Sequence, residues 1–563
     1  MGYNKQRGSK NEPDITINTD SILGSKWCPI CETKVNFEPQ HFQTAMINVI
    51  KNPNINSTVL LRADILIENS YDPEKGNTKF TSNLIDVLPD IESNTIDNEN
   101  VKNENKLLHR DLQDVNIRKI PISDSKLKLS NRIEIVRRMI PRNPFKDHIV
   151  NQTCLLLKSD DNNTILIVYI PHINSKEEIP YYLPQVLGVG ILYDNQKVSI
   201  HYLPFENELN FIKSIDQSNR IVRTAIRLLQ TSTKHSNGVK IGYSKRVNHD
   251  LIVPKVNFQN KYIYLKSKYS SDLVNNWKES TDPNKHVFED LAIAAFLIEY
   301  WNIKNFAKDK FEFRDLGCGN GLLVYILIME GYKGEGIDAR SRKSWKTYPK
   351  FVQDKLFEQI IVPSILLKPH PSVSKLIPEI QDNGRTFNDI NDTQAQLSSN
   401  NLLNSPNVCT TQEFPSNTFL IGNHSDELTC WMPLLGFPFM VIPCCSHALN
   451  GNKIRYPPPK KHISKQQQLL QHQQPVSSST YASLVDHVEK LSILNGWEVE
   501  KEMLRIPSTR NAAIMSCNKI KEFLNEPSDI SQLRILDIIA MEGGADGWVE
   551  NSLNLMKKAP RSH

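Results

Sequence analysis

The segment Asp315-Leu-Gly-Cys-Gly-Asn-Gly321 sets an acid two residues ahead of three alternating glycines, and a second acid, Asp338, follows Gly334-Glu-Gly-Ile337, read as the next strand. Glycines at this spacing let a backbone turn sharply and let a ligand approach the main-chain amides. Residues 311–316 read as a strand and residues 322–330 as a helix, so the loop stands at a strand-to-helix junction where the polar end of a cofactor fits. Asp315 is placed to receive an ammonium group, whereas a diphosphate would be repelled by a carboxylate there, which disfavours a nicotinamide cofactor. Asp338 comes about 20 residues on, where an acid accepts hydrogen bonds from ribose hydroxyls. Asp282-Pro283 opens a long amphipathic helix at 286–300 ahead of the motif. A bare α/β domain could keep such glycines for packing alone. Three features at compatible spacing favour S-adenosylmethionine, with Asp315, Gly317, Gly319, Asn320, Gly321, Asp338 and Asn423 as the expected cofactor set.

The acceptor should meet the cofactor at the carboxyl ends of the strands. Two polar segments follow expected strands there: Gly422-Asn-His-Ser-Asp-Glu-Leu428 and Pro443-Cys-Cys-Ser-His-Ala448. A hydroxyl acceptor needs its proton removed, and His424, Asp426 and His447 are the candidate catalytic residues, with helix capping as the competing role. Cys444 offers a different chemistry, since a thiolate can add to a pyrimidine ring and activate C5; the preferred reading of Cys444 and Cys445 is small apolar residues at a strand end. Arg340, Arg342 and Lys343 with Trp345 suit an RNA chain, phosphates on the cations and a base on the ring; a solvated helix face and a core tryptophan are the alternatives. Cys28-Pro-Ile-Cys31 with His41 falls short of the four ligands zinc usually takes, and no metal is expected.

The elements that must position these residues alternate between helices and short apolar strands from residue 281 to 518, with strands at 311–316, 334–337, 418–421, 439–443, and 497–505 with 512–516. Before them, residues 42–50 have helical spacing, 57–65, 154–157 and 164–170 are β-type runs, and 188–203 reads as a hairpin about Asp194-Asn195. Helix 218–230 carries Arg220, Arg223 and Arg227 on one face; a solvated face is preferred there over a phosphate stripe. Residues 71–105, 381–412 and 457–480 are dominated by polar residues that bury too little surface to offset chain entropy.

Across 563 residues the formal charge is only +5, which permits a nucleic-acid partner without arguing for one. Nine scattered cysteines suggest a reducing, intracellular setting. No secretory leader is evident, and the apolar runs fall short of the roughly 18 residues a membrane span needs.

The segments 315–327, 329–332, 336–340, 344–345, 421–428 and 442–447, with Val35-Asn-Phe-Glu-Pro39 and 282–290, closely resemble the eukaryotic tRNA (uracil-2′-O)-methyltransferase family. The Gly-Asn-His-Ser-Asp-Glu-Leu and Pro-Cys-Cys-Ser-His stretches are its most particular part. The resemblance implies methylation of the ribose 2′-hydroxyl of the uridine at position 44 in serine tRNA, in the cytoplasm, from S-adenosylmethionine. The alternatives kept beside it are a pyrimidine C5 enzyme using Cys444 and a non-catalytic cofactor-binding, RNA-binding subunit. The expected fold is α/β, a Rossmann-like class I methyltransferase domain with an N-terminal α+β region and disordered insertions. Its expected parts are an N-terminal region 1–70, a disordered loop 71–105, an α+β accessory region 106–275 that binds RNA, the methyltransferase domain 281–520 with insertions 381–412 and 457–480, and a helical tail 521–563.

Overall fold

The computed structural model describes residues 13–73, 76–83, 112–122, 127–142, 147–206, 208–243, 249–388, 396–457 and 479–558. The chain divides into two compact units, Met1–Arg246 and Val247–His563.

The first unit is one antiparallel sheet of nine strands: β1 (Asp14–Ile15), β2 (Cys28–Lys34), β3 (Leu60–Asp72), β4 (Gly76–Thr81), β5 (Ser130–Pro141), β6 (Val150–Lys158), β7 (Ile165–Pro171), β8 (Gly188–Asp194) and β9 (Lys197–Leu203). Their spatial order is β1-β2-β9-β8-β7-β6-β5-β3-β4. The β8–β9 hairpin turns at Asn195 and Gln196, both at positive φ (46° and 57°), as a two-residue turn between twisted strands requires. Helices Pro39–Lys51 and Arg220–Lys240 cover one face, burying Phe42, Met46, Val222, Ala225 and Leu229 against Ile167, Ile191 and Ile200. The apolar face of the second helix recurs at helical spacing, and Asn219 caps it by accepting from Ile221 N.

Two expectations change here. Segments assigned to separate parts, 1–70 and 106–275, contribute strands to this one sheet, because β2 pairs with β9 and β3 with β5 across long stretches of chain. Within the expected loop 71–105, Gly76–Thr81 is a strand on β3 despite its polar, exposed side chains, since backbone pairing alone holds it there. The rest of that loop lies almost wholly outside the described residues.

The second unit is built on a seven-stranded sheet: β10 (Glu312–Leu316), β11 (Gly334–Asp338), β12 (Leu356–Glu358), β17 (Thr418–Asn423), β18 (Phe439–Ile442), β19 (Glu500–Met503) and β20 (Ala512–Ser516). The order is β12-β11-β10-β17-β18-β20-β19; the first five strands and β19 run in one direction, and β20, between β18 and β19, is antiparallel to both. Side chains alternate across it. Phe313, Phe419, Ile421 and Met440 pack under helices Lys255–Asn275, Pro283–Ile303 and Leu322–Met329, while Leu316, Leu420, Val441 and Ile514 pack under Thr480–Leu494 and the C-terminal helices. Each such side chain of Leu or Phe size contributes about 1.5–3 kcal/mol by leaving water.

The remaining strands form two small pairs, β13 (Ile360–Val362) with β16 (Val408–Thr410) and β14 (Thr386–Asn388) with β15 (Gln396–Ser398). The expected disordered insertion 381–412 is therefore ordered where it is described, because Val408 and Cys409 are buried in the core beside Ile360 and Ile361. The insertion 457–480 falls almost entirely outside the described residues. The tail 521–563 is helical at Ser528–Met541 and Trp548–Lys557 and belongs to the unit: Trp548 is buried, and its indole N–H donates to Ile361 O at 2.9 Å. No helix among the described residues is long and apolar enough to cross a membrane.

Candidate functional site

The parallel strands β10, β11, β17 and β18 end along one edge of the sheet, and the loops leaving them enclose a cavity of about 650 Å³. Small-molecule sites span about 300–1,000 Å³. The glycine loop forms one wall. Gly317 and Gly319 have φ of +79° and +55°, and a Cβ on Gly319 would project into open space, so this backbone is bare toward a ligand. The loop is held from behind: Asp338 Oδ2 accepts from Gly319 N at 2.9 Å, Trp345 Nε1–H donates to Gly319 O at 2.9 Å, and the Tyr348 hydroxyl donates to Asn320 O at 3.0 Å. Asn320 Oδ1 caps the following helix by accepting from Leu322 N at 2.9 Å.

Acids dominate this end. Asp315 is buried, and its Oδ1 has no hydrogen-bond partner. Burial, and then the charge of Asp338, push its carboxyl up to about 8. Asp290 is raised well above the usual carboxylate range by burial and by Glu289 and Asp315, while Asn423 Nδ2–H donates to its Oδ1 at 3.1 Å. Asp338 is also raised by burial, against the opposing pull of Arg342 and of the Gly319 and Arg340 amides. A buried carboxylate without a donor, beside a bare glycine backbone, is a place for a cationic ligand group. The amino acid end of S-adenosylmethionine carries that group, so the residues present fit it.

The loops after β17 and β18 line the cavity beside the glycine loop. His424 and Asp426 adopt left-handed backbone angles (φ of 53° and 43°), a conformation that costs a residue bearing a Cβ some strain. His424 Nε2 lies 3.2 Å from Glu289 Oε1, and Glu289 is only 7% exposed. The Cys444 thiol donates to Asp426 Oδ1 at 2.7 Å, and Arg510 Nη1 donates to Cys445 Sγ at 3.4 Å. Burial, then Asp426, hold the Cys444 thiol well above its ordinary range, which weighs against a free thiolate nucleophile.

All of the expected cofactor residues except Gly321 line the cavity. Gly321 starts the helix behind the loop with φ of +72°. Of the expected catalytic residues His424 and Asp426 line it, but His447 is buried away from the wall, with Nε2 3.7 Å from Glu427 Oε1. Arg340 and Arg342 reach the cavity; Lys343 is exposed outside it. Trp345 is a correction to the RNA set: it sits in the core with Tyr348 and Leu356 and supports the glycine loop, so its ring is not open to a base. Cys28 and Cys31 are buried in β2, their thiols pushed up to about 11 and about 12 by burial, and His41 Nδ1 instead accepts from Glu38 N at 3.1 Å in a capping box.

Sequence reasoning missed Glu289, Asp290 and Arg510 as site residues. Glu289-Asp290 carried a signal, two adjacent acids directly before the apolar run 291–297 on a helix buried almost all round. Arg510 carried none.

Comparison with known proteins agrees with this geometry. Residues 5–246 match a family model described as "TRM44-like, N-terminal bet v1-like domain", and residues 252–363 match one described as "Predicted AdoMet-dependent methyltransferase". The tRNA (uracil-O(2)-)-methyltransferase of Debaryomyces hansenii is 55% identical over 608 residues, covering 99% of this chain and 100% of the relative. Relatives carrying that same description are 52% identical in Saccharomyces cerevisiae and 34% identical in Schizosaccharomyces pombe, each alignment covering 100% of this chain and 99% of the relative. No solved structure matches the chain.

Proposed function

The chain belongs to the tRNA (uracil-O(2)-)-methyltransferase family, and from that membership we propose that it methylates the ribose 2′-hydroxyl of a uridine in tRNA, position 44 of serine tRNA, in the cytoplasm. The observation that carries the reading is the meeting in one cavity of the unpartnered Asp315 carboxylate, the bare glycine loop and the Glu289–His424 pair. Two further points support it. The strand order, with one reversed strand, β20, set between β18 and the edge strand β19, supports a Rossmann-like class I methyltransferase domain, and nine free cysteines fit a reducing compartment.

S-adenosylmethionine supplies an electrophilic methyl group on a sulfonium. Asp315 would hold the ammonium, the Gly317 to Asn320 backbone would receive the rest of the amino acid end, and Asp338, whose carboxylate oxygens have lone pairs to spare, would accept from ribose hydroxyls. From the loop after β17, on the wall shared with Asp315, His424 takes the proton of the acceptor hydroxyl. Glu289 behind it fixes the ring and stabilises the imidazolium that forms. The enclosing loops orient the acceptor and limit water. We assign tRNA holding to the N-terminal unit, where Arg223, Arg227 and Lys234 stand exposed on a helix, Arg220–Lys240, without a single acid.

The test is transfer of labelled methyl from S-adenosylmethionine to unmodified serine tRNA, digestion to nucleosides and mass spectrometry. Label in 2′-O-methyluridine is expected, and none from Asp315→Ala protein. Label on C5 would move the chemistry to Cys444. Cofactor binding with no label in any nucleoside would make the chain a non-catalytic RNA-binding subunit.

A further inference from the structure

We propose that Asp426, Cys444 and Cys445 form a site for one thiophilic divalent cation, zinc, in the wall of the cavity. Their ligand atoms, one carboxylate oxygen and two sulfurs, all lie within 4.8 Å of one another. Ligands around one tetrahedral zinc, at about 2.0–2.3 Å from the ion, stand roughly 3.3–3.8 Å apart. Small rotamer adjustments close that difference. Among the described residues this is the one group of three or more such side chains that converges in this way.

The convergence comes from the fold, since β17 and β18 are parallel neighbours, with Asn423 opposite Ile442, and the loops leaving them run side by side. The left-handed backbone at Asp426, φ 43°, turns that residue toward the cysteines, and its Oδ1 comes to 2.7 Å from Cys444 Sγ. The donor set selects the ion. Magnesium and calcium take oxygen ligands, whereas two sulfurs with one carboxylate suit zinc. Arg510 supplies the outer partner that a coordinated sulfur accepts, its Nη1 donating to Cys445 at 3.4 Å.

Three protein ligands leave a fourth position open. Cys444 and Cys445 are partly exposed, Asp426 is buried at their side, and all three line the cavity, so that position faces the cavity, in the pattern of a catalytic and not a structural zinc. On binding, each thiol gives its proton to solvent. The open position takes a water or hydroxyl oxygen and lowers that oxygen's hold on its proton. The assignment of that oxygen to ribose rests on the methyl-transfer reading, whereas the metal site itself does not.

The experiment uses the full chain purified without chelator. Zinc is measured by elemental mass spectrometry, and the protein is then reconstituted with cobalt, whose thiolate complexes absorb in the near ultraviolet. About one zinc per chain and a thiolate–cobalt band are expected, with both lost in Cys444→Ser protein that keeps a native circular dichroism spectrum. Wild-type protein that retains no zinc after incubation and desalting, and shows no cobalt band, overturns the site whatever its turnover. A band persisting in both Cys444→Ser and Cys445→Ser places the metal elsewhere and also overturns it. Zinc bound in protein that transfers no methyl group supports the site while overturning the methyl-transfer reading.

Discussion

Asp315 makes cofactor binding depend on pH in a direction that can be worked out in advance. Its carboxyl is pushed up to about 8 by burial, and then by Asp338, so most of it is protonated in the free protein at neutral pH. The sign follows from linkage: an acid raised on folding lowers stability progressively from its ordinary value up to about 8, and a ligand cation that pairs with the carboxylate removes that penalty. Binding in the paired form needs Asp315 ionised and the ligand's α-amino group protonated, the latter titrating at roughly 8. The product of the two fractions is about 0.25 at pH 8 and about 0.01 at pH 6, so affinity should fall about 25-fold over that interval. Near pH 7, about 0.9 of a proton leaves Asp315 and about 0.1 is taken up by the amine, a net release of about 0.8. Isothermal titration calorimetry in buffers of different ionisation enthalpy measures both quantities. Asp315→Asn should weaken binding at pH 8 by at least about tenfold and flatten the acidic limb. A wild-type affinity that is level from pH 6 to 8, or a limb that survives in Asp315→Asn, would refute the reasoning.

The Glu289–His424 pair should show in turnover and not in cofactor affinity: His424→Ala is expected to lower kcat by roughly 10²–10⁴-fold at unchanged cofactor Kd, and Glu289→Gln to lower it less while shifting the pH profile of kcat. Gly336→Ala is expected to cost about 1–3 kcal/mol in a thermal or urea melt, because its Cβ would meet Val324 Cγ2 at 2.8 Å and Cys318 Sγ at 2.9 Å where helix and strand are in close contact. Reversing Arg223, Arg227 and Lys234 to Glu together should raise KM for tRNA, leave cofactor binding unchanged, and flatten the dependence of log K on log salt by about three phosphate contacts; an unchanged slope would mean that this face is merely solvated.

How far the sequence disclosed these elements depended on where each strand's partners lie. The strands β17 and β18 were legible because parallel strands buried on both faces are written as short apolar runs, whereas β10 (Glu-Phe-Arg-Asp-Leu) and β11 (Gly-Glu-Gly-Ile-Asp) were legible from the glycine loop and the acid that end them; all four came out within a residue or two. β12 has only three residues and carries no period to detect. β5 was hidden for another reason: Arg137 and Arg138 lie buried in it, a pattern that hydropathy reads as surface, and they are satisfied by Gln152 and Asn151 on β6 and by carbonyls such as Ile50 O and Leu112 O. Only the folded sheet supplies those partners. The split drawn between 1–70 and 106–275 failed in the same way, since the pairing of β2 with β9 is invisible until both strands are in place.

The site divides along the same line. Asp315, the glycines and Asp338 are close in sequence, and their spacing is itself the geometry, because one strand, one turn and one helix separate them. Glu289 and Asp290 reach the cavity only because the Pro283–Ile303 helix packs across the sheet, setting residues 135 and 133 positions before His424 and Asn423 within 3.2 Å and 3.1 Å of them. Helical periodicity could not single them out, since that helix is buried almost all round and has no polar face to mark which way they point. What could have done so is their cost. Two adjacent acids beside a fully apolar run are expensive to bury unless something ionic or proton-seeking meets them. In this fold the things that meet them are Asn423 and His424, and the wall they complete is the one on which the Asp315 carboxylate has no partner of its own.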